Sequence, residues 1–321
     1  MISNFAEIAI KATNPHKTLT GIPLNEFLAM DIPPSQFILA PWLTTNSLNM
    51  LHAKRGVGKS HVGLAIAYAV ATGTGFLRWN APLPRKVVYI DGEMSAHTVQ
   101  SRMKAISNSN PKDQTLLSNL RIFTPDLHEG PIPDLSQRSW HLSVKEFISN
   151  AELVIVDNLS CLARSGGSEN ESESWSALAD WALELRRNDI SVLFIHHSGK
   201  GGQQRGTSRK EDILNVVLNL KHPANYTADM GAYFEVHFEK GRELIGDAAK
   251  SFEARLECSE DIYQWSITDL EDSLFNQVVK MALLGMRYSD IAIELEINKS
   301  TVSRHLKRAR EEGLIKGKQE E

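Results

Sequence analysis

A short run of glycines and basic residues in the first quarter of the chain constrains the fold most. Residues 53–60 read Ala-Lys-Arg-Gly-Val-Gly-Lys-Ser. They depart from the phosphate-binding pattern G-x-x-x-x-G-K-[ST] only at Ala53. An apolar run, 47–52, precedes this segment and a helical pattern, 60–71, follows it. A strand, a glycine-rich turn and a helix in this order predict a phosphate site on a parallel α/β sheet.

Each residue type in this loop has a physical role. Gly56 and Gly58 allow positive φ and a close backbone approach to phosphate oxygens. Lys59 supplies positive charge for the β- and γ-phosphates, and Ser60 supplies a hydroxyl ligand for Mg²⁺. ATP and Mg²⁺ are therefore the expected ligands. The predicted nucleotide-contacting residues are Ala53, Lys54, Arg55, Gly56, Val57, Gly58, Lys59, Ser60 and His61.

Alanine at position 53 is the smallest departure from glycine, so we expect it to be tolerated at the end of the strand. Lys54 and Arg55 stay open in this interpretation: they either add charge near the phosphates or are simply solvated. A chance glycine-rich turn is the alternative for the whole run. The strand before it and the helix of small residues after it favour a working site.

Carboxylates follow two further apolar strands. Asp157 comes directly after the run 153–156, where it predicts a second Mg²⁺ ligand beside Ser60. The next residue is Asn158, so a glutamate that activates water has to come from elsewhere. Glu93, just after the strand 86–90, is the candidate. The alternatives are an aspartate in an ordinary turn and a glutamate that stabilises a helix start.

A pair of histidines ends a third apolar run, 191–195. Neighbouring strand residues point to opposite faces of a sheet, so His196 and His197 are not expected to share a metal ion. One of the two can reach a γ-phosphate from the strand end. We favour His197 for that role, with a solvated pair of histidines as the alternative.

Short apolar strands alternate with helical patterns as far as about residue 269, and only helices follow. Later strands are expected at 212–220 and 232–239, and composition predicts a flexible loop at 166–174. The predicted fold class is α/β, with a mostly parallel sheet flanked by helices and a small all-α (winged) helix-turn-helix domain. The expected domains are an accessory segment at 1–40, an α/β domain at 41–268 and the helical domain at 274–321.

The C-terminal region predicts three helices, at 275–284, 288–295 and 299–312. A tight turn, Glu296-Ile297-Asn298, joins the last two, and Asn298 or Ser300 is expected to cap the third helix. This arrangement resembles winged-helix and sigma-type helix-turn-helix domains. Residues 298–318 contain seven Lys or Arg against two Glu, in a chain whose net charge is −4. A local basic patch of this kind predicts contact with DNA.

A recognition helix presents its first residues to base edges and later cations to phosphates. A basic helix that mediates oligomer contact is the alternative. The predicted DNA-contacting residues of this helix are Lys299, Ser300, Thr301, Arg304, Lys307 and Arg308.

Composition sets the remaining limits. The 321 residues include 42% hydrophobic and 23% charged residues, enough for one large and one small domain. No apolar run is long enough for a membrane span, and we expect no signal peptide. The two cysteines, Cys161 and Cys258, form no CxxC pair and are typical of a reducing cytosol, so a cytoplasmic location is expected.

The order of these motifs, GKS, VVYIDGE, LVIVDN, VLFIHHSGKG and RGTS, resembles that of the RecA-like ATPases. More narrowly, residues 32–247 are similar to the RepA-type hexameric replicative helicases of plasmids and phages. The resemblance implies that Glu93 is the catalytic base and that His197 senses the γ-phosphate. It also implies that an arginine from the neighbouring subunit completes each site.

Two segments offer that arginine in trans. We favour Lys240 with Arg242, which resemble the K-x-R that ends a late strand in related helicases. Arg205, in the segment RGTS, is the second candidate, and ordinary surface cations are the alternative. DNA inside a ring would contact the glycine-rich loop that contains Lys200, Arg209 and Lys210. The acidic loop 164–174 makes a poor DNA contact, which departs from the family pattern.

Three functions stay open at this point. The first is an ATP-hydrolysing, ring-forming DNA motor, a helicase for replication of a plasmid or phage. We expect it to be a hexamer, with single-stranded DNA in its channel and duplex DNA at the helix-turn-helix. The second is a non-motor regulator whose nucleotide state controls oligomerisation and DNA binding. The third, a binding-only protein, is disfavoured because Lys59, Ser60, Glu93 and Asp157 are all present.

Overall fold

The computed structural model describes residues 21–164, 171–198, 212–259 and 261–315. The chain forms two compact units, residues 1–35 and residues 36–321. The described part of the first unit contains one helix, α1 (Leu24–Ala29), which begins after Pro23 and buries none of its residues. The large side chains of this helix, Leu24, Phe27 and Leu28, are exposed.

The second unit contains all the remaining described elements. In chain order they are β1 (Phe37–Leu39), β2 (Leu43–Thr44), β3 (Leu48–Ala53), α2 (Lys59–Thr72), β4 (Gly75–Phe76), β5 (Trp79–Asn80), β6 (Val87–Asp91), α3 (Ala96–Ser109), α4 (Gln114–Leu117), β7 (Leu120–Phe123), α5 (Arg138–Ile148), β8 (Leu153–Asp157), α6 (Leu159–Leu162), α7 (Glu171–Arg187), β9 (Ser191–His197), β10 (Val216–Lys221), β11 (Tyr233–Gly241), β12 (Phe252–Ser259), β13 (Ile262–Asp269), α8 (Leu270–Leu283), α9 (Tyr288–Glu294) and α10 (Lys299–Glu311). Among these, no helix is both long enough and apolar enough to cross a membrane.

A nine-stranded sheet, in the order β13-β12-β11-β10-β3-β9-β8-β6-β7, organises this unit. The strands from β10 to β7 in this order are parallel, and β11, β12 and β13 add an antiparallel extension. Strand β3 lies between β9 and β10, so the loop that follows it is central. The predicted α/β class with a mostly parallel sheet is confirmed.

The parallel strands are apolar throughout because both faces of the sheet are covered. On one face, Leu51, Tyr89 and Ile195 pack in the same core as residues of α2. On the other face, Met50 and Phe194 pack in the same core as residues of α7. The carboxyl ends of β3, β6, β8 and β9 therefore meet at one edge, held between two packed layers.

The structure adds elements that the sequence patterns do not predict. Strands β12 and β13 form an antiparallel pair beyond β11, and half-buried and exposed residues alternate along most of β13. Tyr263, Trp265 and Ile267 alternate with polar residues there, a period-two strand signal that a search for continuous apolar runs misses. Helix α7 begins at Glu171, so the loop predicted at 166–174 is wrong from that residue onward.

Three helices end the described chain. Helix α8 begins at Leu270, directly after β13 ends at Asp269. Apolar residues of all three helices, including Val278, Ile291, Val302 and Leu306, form one small core. The described residues 270–315 contain no strand of a wing. Asn298 is the N-cap residue of α10, as predicted, but its side chain makes no capping hydrogen bond.

Candidate active site

The loop after β3 has the backbone shape that phosphate binding requires. Ala53 is the last residue of β3, and Gly56 and Gly58 have φ of 83° and 117°. Gly58 caps α2 from the left-handed region, and a Cβ there would lie 3.3 Å from Phe234. The predicted strand, turn and helix are all present. The first N–H groups of α2 have no helical partner and can therefore bind an anion.

Lys59 lies inside this loop rather than in solvent. Its Nζ donates hydrogen bonds to the carbonyl oxygens of Ala53, at 3.2 Å, and Lys54, at 2.9 Å. Burial lowers the pKa of Lys59 to about 8, although the Asp157 and Glu93 carboxylates act in the opposite direction. A bound triphosphate would favour the charged lysine. Lys54 and Arg55 are exposed, so their side chains contribute little to the loop itself.

Asp157 lies at the end of β8, fully inside the site. The Tyr89 hydroxyl donates a hydrogen bond of 2.5 Å to its Oδ2, and the Ser60 side chain is also hydrogen-bonded to it. Burial raises the pKa of Asp157 in spite of these hydrogen bonds. A hydroxyl and a carboxylate are oxygen donors of the kind that Mg²⁺ takes in nucleotide sites. Ser60 and Asp157 therefore fit the predicted role of holding Mg²⁺.

Glu93 comes to the same edge from β6. The Asn158 side-chain amide donates a short hydrogen bond to Glu93 Oε2, and His197 Nε2 lies 3.6 Å from that oxygen. Gly92 permits this turn, because a Cβ there would lie 2.6 Å from Leu162 Cγ. The carboxylate is more than half exposed, so water can reach it. Asn158, the residue directly after Asp157, thus orients the Glu93 carboxylate.

His197 is half-buried between positive and negative groups. Burial and the Lys59 charge lower the pKa of His197, and the Glu93 carboxylate acts in the opposite direction. The imidazole is therefore neutral at neutral pH and can donate one hydrogen bond to a phosphate oxygen. His196, its neighbour on β9, is buried.

Asp91 is a site residue that the sequence analysis missed. It pairs with Asp157 across β6 and β8 and is completely buried. Its Oδ2 accepts a hydrogen bond of 2.9 Å from the Met94 N–H, while Oδ1 has no partner among the described residues. Burial, helped by the Asp157 charge, raises the pKa of Asp91 to about 7. The parallel spellings VVYID and LVIVD, each ending in aspartate, are the signal that could have identified it.

His61 lies at the start of α2, where it contacts an unexpected strand. Its ring is tilted against that of Tyr263 on β13, with 5.6 Å between the centroids. Burial, helped by the Arg102 charge, lowers the pKa of His61 to about 4. The side chain therefore presents a neutral ring beside the phosphate loop.

Lys240 and Arg242 lie far from this edge. Lys240 and Gly241 pair with Val217 and Val216, near the start of β3. The Arg242 guanidinium donates a hydrogen bond of 2.8 Å to the carbonyl oxygen of Asp212. Arg205, Lys200, Arg209 and Lys210 lie outside the described residues.

The predicted DNA-contacting residues occupy an exposed surface of α10. Lys299, Ser300 and Arg304 are exposed, and Thr301 is half-buried. Arg304 lines a cavity of about 370 Å³ together with three glutamates of this unit, Glu235, Glu253 and Glu271.

Two later cations of α10 are already paired within the chain. Arg308 lies over the Phe275 ring and forms ion pairs with Asp272, at 3.2 Å, and Glu312, at 2.7 Å. Lys307 lies 3.9 Å from Glu311. These two residues would have to exchange partners to bind a phosphate.

The fold and the phosphate loop define the class as a P-loop ATPase of the RecA-like arrangement. Residues 15–203 match the family model described as AAA domain, and residues 276–312 match the one described as Sigma-70, region 4. The first match covers more than half of the chain. The chain therefore belongs to this AAA-domain family of RecA-like P-loop ATPases, and its C-terminal helices are similar to sigma-70 region 4.

Curated and solved relatives are distant. "DNA repair protein RadA" from Mycobacterium tuberculosis, strains CDC 1551 / Oshkosh and ATCC 25618 / H37Rv, is 24% identical over 191 residues, 59% of this chain and 34% of the relative. The chain thus spans about a third of the length of the curated relatives it matches.

Two solved structures are similar at low identity. The RadB recombinase is 20% identical with a TM-score of 0.44, over 66% of this chain and 88% of its own. A KaiC-like protein from Pyrococcus horikoshii OT3 is 15% identical with a TM-score of 0.48, over 70% of this chain and 90% of its own.

Proposed function

We propose that this protein is an ATP-hydrolysing, ring-forming DNA motor, a replicative helicase of the RepA type that also contacts duplex DNA through its C-terminal helices. The observation that carries the proposal is the convergence of Lys59, Ser60, Glu93 and Asp157 at one edge of the sheet. These are the groups that an ATP-hydrolysing site requires.

The roles follow from the positions of the side chains. Lys59 neutralises the phosphates, and Mg²⁺ held by Ser60 and Asp157 would offset the charge that develops during phosphoryl transfer. Glu93, fixed by Asn158 and open to solvent, orients a water molecule and accepts its proton. His197 donates to a γ-phosphate oxygen from the end of β9.

The positions of Lys240 and Arg242 support the ring. Gly241 lies opposite Val216 and hence level with Asn49, whereas the phosphate loop follows Ala53. Four residues of strand separate these levels by about 13 Å. Lys240 and Arg242 are thus remote from the phosphate loop of their own subunit. In a head-to-tail ring they would instead face the site of a neighbour, where an arginine stabilises the transferring phosphoryl group.

The second candidate function is a non-motor regulator, favoured by the helix-turn-helix and its basic third helix. The motor and the regulator differ in how DNA affects the rate of ATP hydrolysis. A motor hydrolyses ATP faster when single-stranded DNA is added and displaces a strand from a forked duplex. A regulator hydrolyses ATP at a rate indifferent to single-stranded DNA and binds one duplex sequence tightly.

A hydrolysis and strand-displacement assay with the full chain separates these outcomes. The motor proposal predicts stimulation and displacement, both lost in Lys59→Ala. Hydrolysis without stimulation, together with tight binding of one duplex, would overturn it in favour of the regulator.

A further inference from the structure

A chain of hydrogen bonds, completely buried at His52 and exposed at Glu239, links two parts of the second unit that the ATPase motifs leave unconnected. The Ser198 hydroxyl lies 2.9 Å from His52 Nδ1, and His52 Nε2 lies 2.7 Å from Glu239 Oε2. The other oxygen of Glu239 accepts a short hydrogen bond from the Asn219 amide. We call these four residues the His52 network.

The direction of the hydrogen bonds is set by the carboxylate. A carboxylate only accepts, so His52 Nε2 carries a hydrogen and donates it to Glu239. In the neutral ring, Nδ1 then accepts from the Ser198 hydroxyl. The hydrogen bond from His52, more than any other group, lowers the pKa of Glu239. The carboxylate is thus held charged at the end of the chain.

Each end of the network adjoins a residue of the proposed mechanism. His52 immediately precedes Ala53 of the phosphate loop, and Ser198 immediately follows His197. Glu239 immediately precedes Lys240. The network therefore connects the strand end that contacts ATP in one subunit with the strand end that we assign to the neighbouring site.

The backbone of β11 is adapted to this contact. Phe238 pairs with Leu218 and Lys240 pairs with Val217, so Glu239 is an extra residue that pairs with neither. Such a bulge re-aims the side chain it carries, and bulges are frequent beside active sites. Here it allows the carboxylate to reach His52.

Stability alone does not explain a histidine at this position. His52 is completely buried on the same face as Met50 and Leu48, which pack in an apolar core. An apolar side chain of similar volume would need no hydrogen-bond partner, whereas the histidine requires two. The polar network instead fixes a unique geometry of three strand ends.

We propose that His52 is a positioning residue that couples His197, at the nucleotide site of one subunit, to Lys240 and Arg242, which that subunit presents to the next. The inference rests on the proposed function. It assigns to His52, Ser198 and Glu239 a role in communication between subunits.

The test replaces His52 by leucine in the full chain and compares it with Asn49→Leu. Asn49 is an equally buried polar residue of β3, hydrogen-bonded to the Ser47 hydroxyl and the Val192 carbonyl, away from the site. Both variants should melt below wild type. Only His52→Leu should lower kcat, by about tenfold, with the Kd for ATP unchanged. Ser198→Ala should lower kcat in the same direction, and Ser198→Thr, which keeps the hydroxyl, should restore it.

Mixed oligomers test the coupling itself. Equal amounts of wild-type and His52→Leu subunits should hydrolyse ATP more slowly than the mean of the two parents, whereas the Asn49→Leu mixture should equal its mean. Additive mixing, or equal kcat for His52→Leu and Asn49→Leu, would overturn the inference and leave the ATPase proposal intact. A wild-type protein without ATP hydrolysis would overturn both.

Discussion

At the nucleotide edge of the sheet the proposed catalytic side chains contact one another. On α10 most of the predicted DNA-contacting side chains are exposed or pair with nearby helix residues. Asp157 is surrounded by Tyr89, Ser60 and Lys59, and Glu93 is held by Asn158. Arg304, by contrast, is exposed. The first region is therefore an interdependent site and the second a surface.

This difference predicts different responses to substitution. Groups that share one buried site act as a unit, so removal of one member removes most of the activity. Contacts of separate surface residues with DNA add approximately and are weakened by salt. Substitutions at the nucleotide edge should thus have large effects on turnover, and those on α10 smaller effects on binding.

The largest expected effect is that of Lys59→Ala. Lys59 is the lysine whose ammonium group lies inside the phosphate loop and donates hydrogen bonds to the loop carbonyl oxygens. The substitution removes this charge. ATP turnover should fall at least about a thousandfold, because both phosphate binding and charge stabilisation are lost. Steady-state hydrolysis measures this. Lys104→Ala, an exposed lysine of α3, is the matched control and should keep wild-type turnover.

Glu93→Gln separates binding from chemistry. The amide retains the size of the side chain but cannot accept a proton, so turnover should fall about a hundredfold or more. The Kd for ATP should stay near the wild-type value, as measured with a fluorescent analogue. Glu146→Gln, on the exposed face of α5, controls for the loss of one charge. Near-normal turnover in Glu93→Gln would mean that another group activates water.

Arg304→Ala tests the surface half of the comparison. Loss of one base or phosphate contact should weaken binding to duplex DNA about tenfold and leave basal ATP hydrolysis unchanged. Lys280→Ala removes the same charge from α8 and should bind DNA with nearly wild-type affinity. Equal affinities of the two variants would count against α10 as the recognition helix. DNA titrations at two salt concentrations measure how much of the binding free energy comes from electrostatic contacts with phosphates.

The smallest effect concerns the pH dependence of stability. The pKa of Asp91 is raised to about 7, so the folded protein binds this proton more tightly than the unfolded chain does. The contribution of Asp91 to stability therefore falls as the pH rises from about 4 to about 7. Asp91→Asn stays neutral and lacks this fall.

Melting curves without nucleotide and Mg²⁺ measure the difference. The quantity of interest is the Tm of Asp91→Asn minus the Tm of wild type. This difference should be larger at about pH 8 than at about pH 5, by about 2–4 °C for each kcal/mol of stability that the wild type loses between these pH values. Asp180→Asn, an exposed aspartate of α7, should show no such difference. The same Tm difference between Asp91→Asn and wild type at both pH values would show that Asp91 is ionised in the folded protein at both.

The parallel sheet and most groups at its edge could be predicted from sequence for one physical reason. Strands buried on both faces must be continuous apolar runs, and parallel strands end at the same edge. Glu93, Asp157 and His197 each follow such a run, so their proximity was predictable. The sequence places Asn158 directly after Asp157, but its hydrogen bond to Glu93 required the structure.

The features that could not be predicted from sequence depend on contacts between segments that are distant along the chain. The bulge at Glu239 and its reach to His52 involve residues 187 apart in sequence. In strand β13, Tyr263, Trp265 and Ile267 alternate with exposed residues, a period-two signal that a search for continuous apolar runs misses. Its contact with His61 required the structure. The ion pairs of Arg308 likewise depend on how α8 packs against α10.

Subunit complementation tests the central claim, a shared site in a ring, most directly. Glu93→Gln and Arg242→Ala should each be inactive alone. Random mixing of the two in equal amounts gives about a quarter of interfaces with both residues intact, as in any head-to-tail ring. The mixture should therefore recover ATP hydrolysis toward that fraction of the wild-type rate. A mixture no more active than its parents would contradict it.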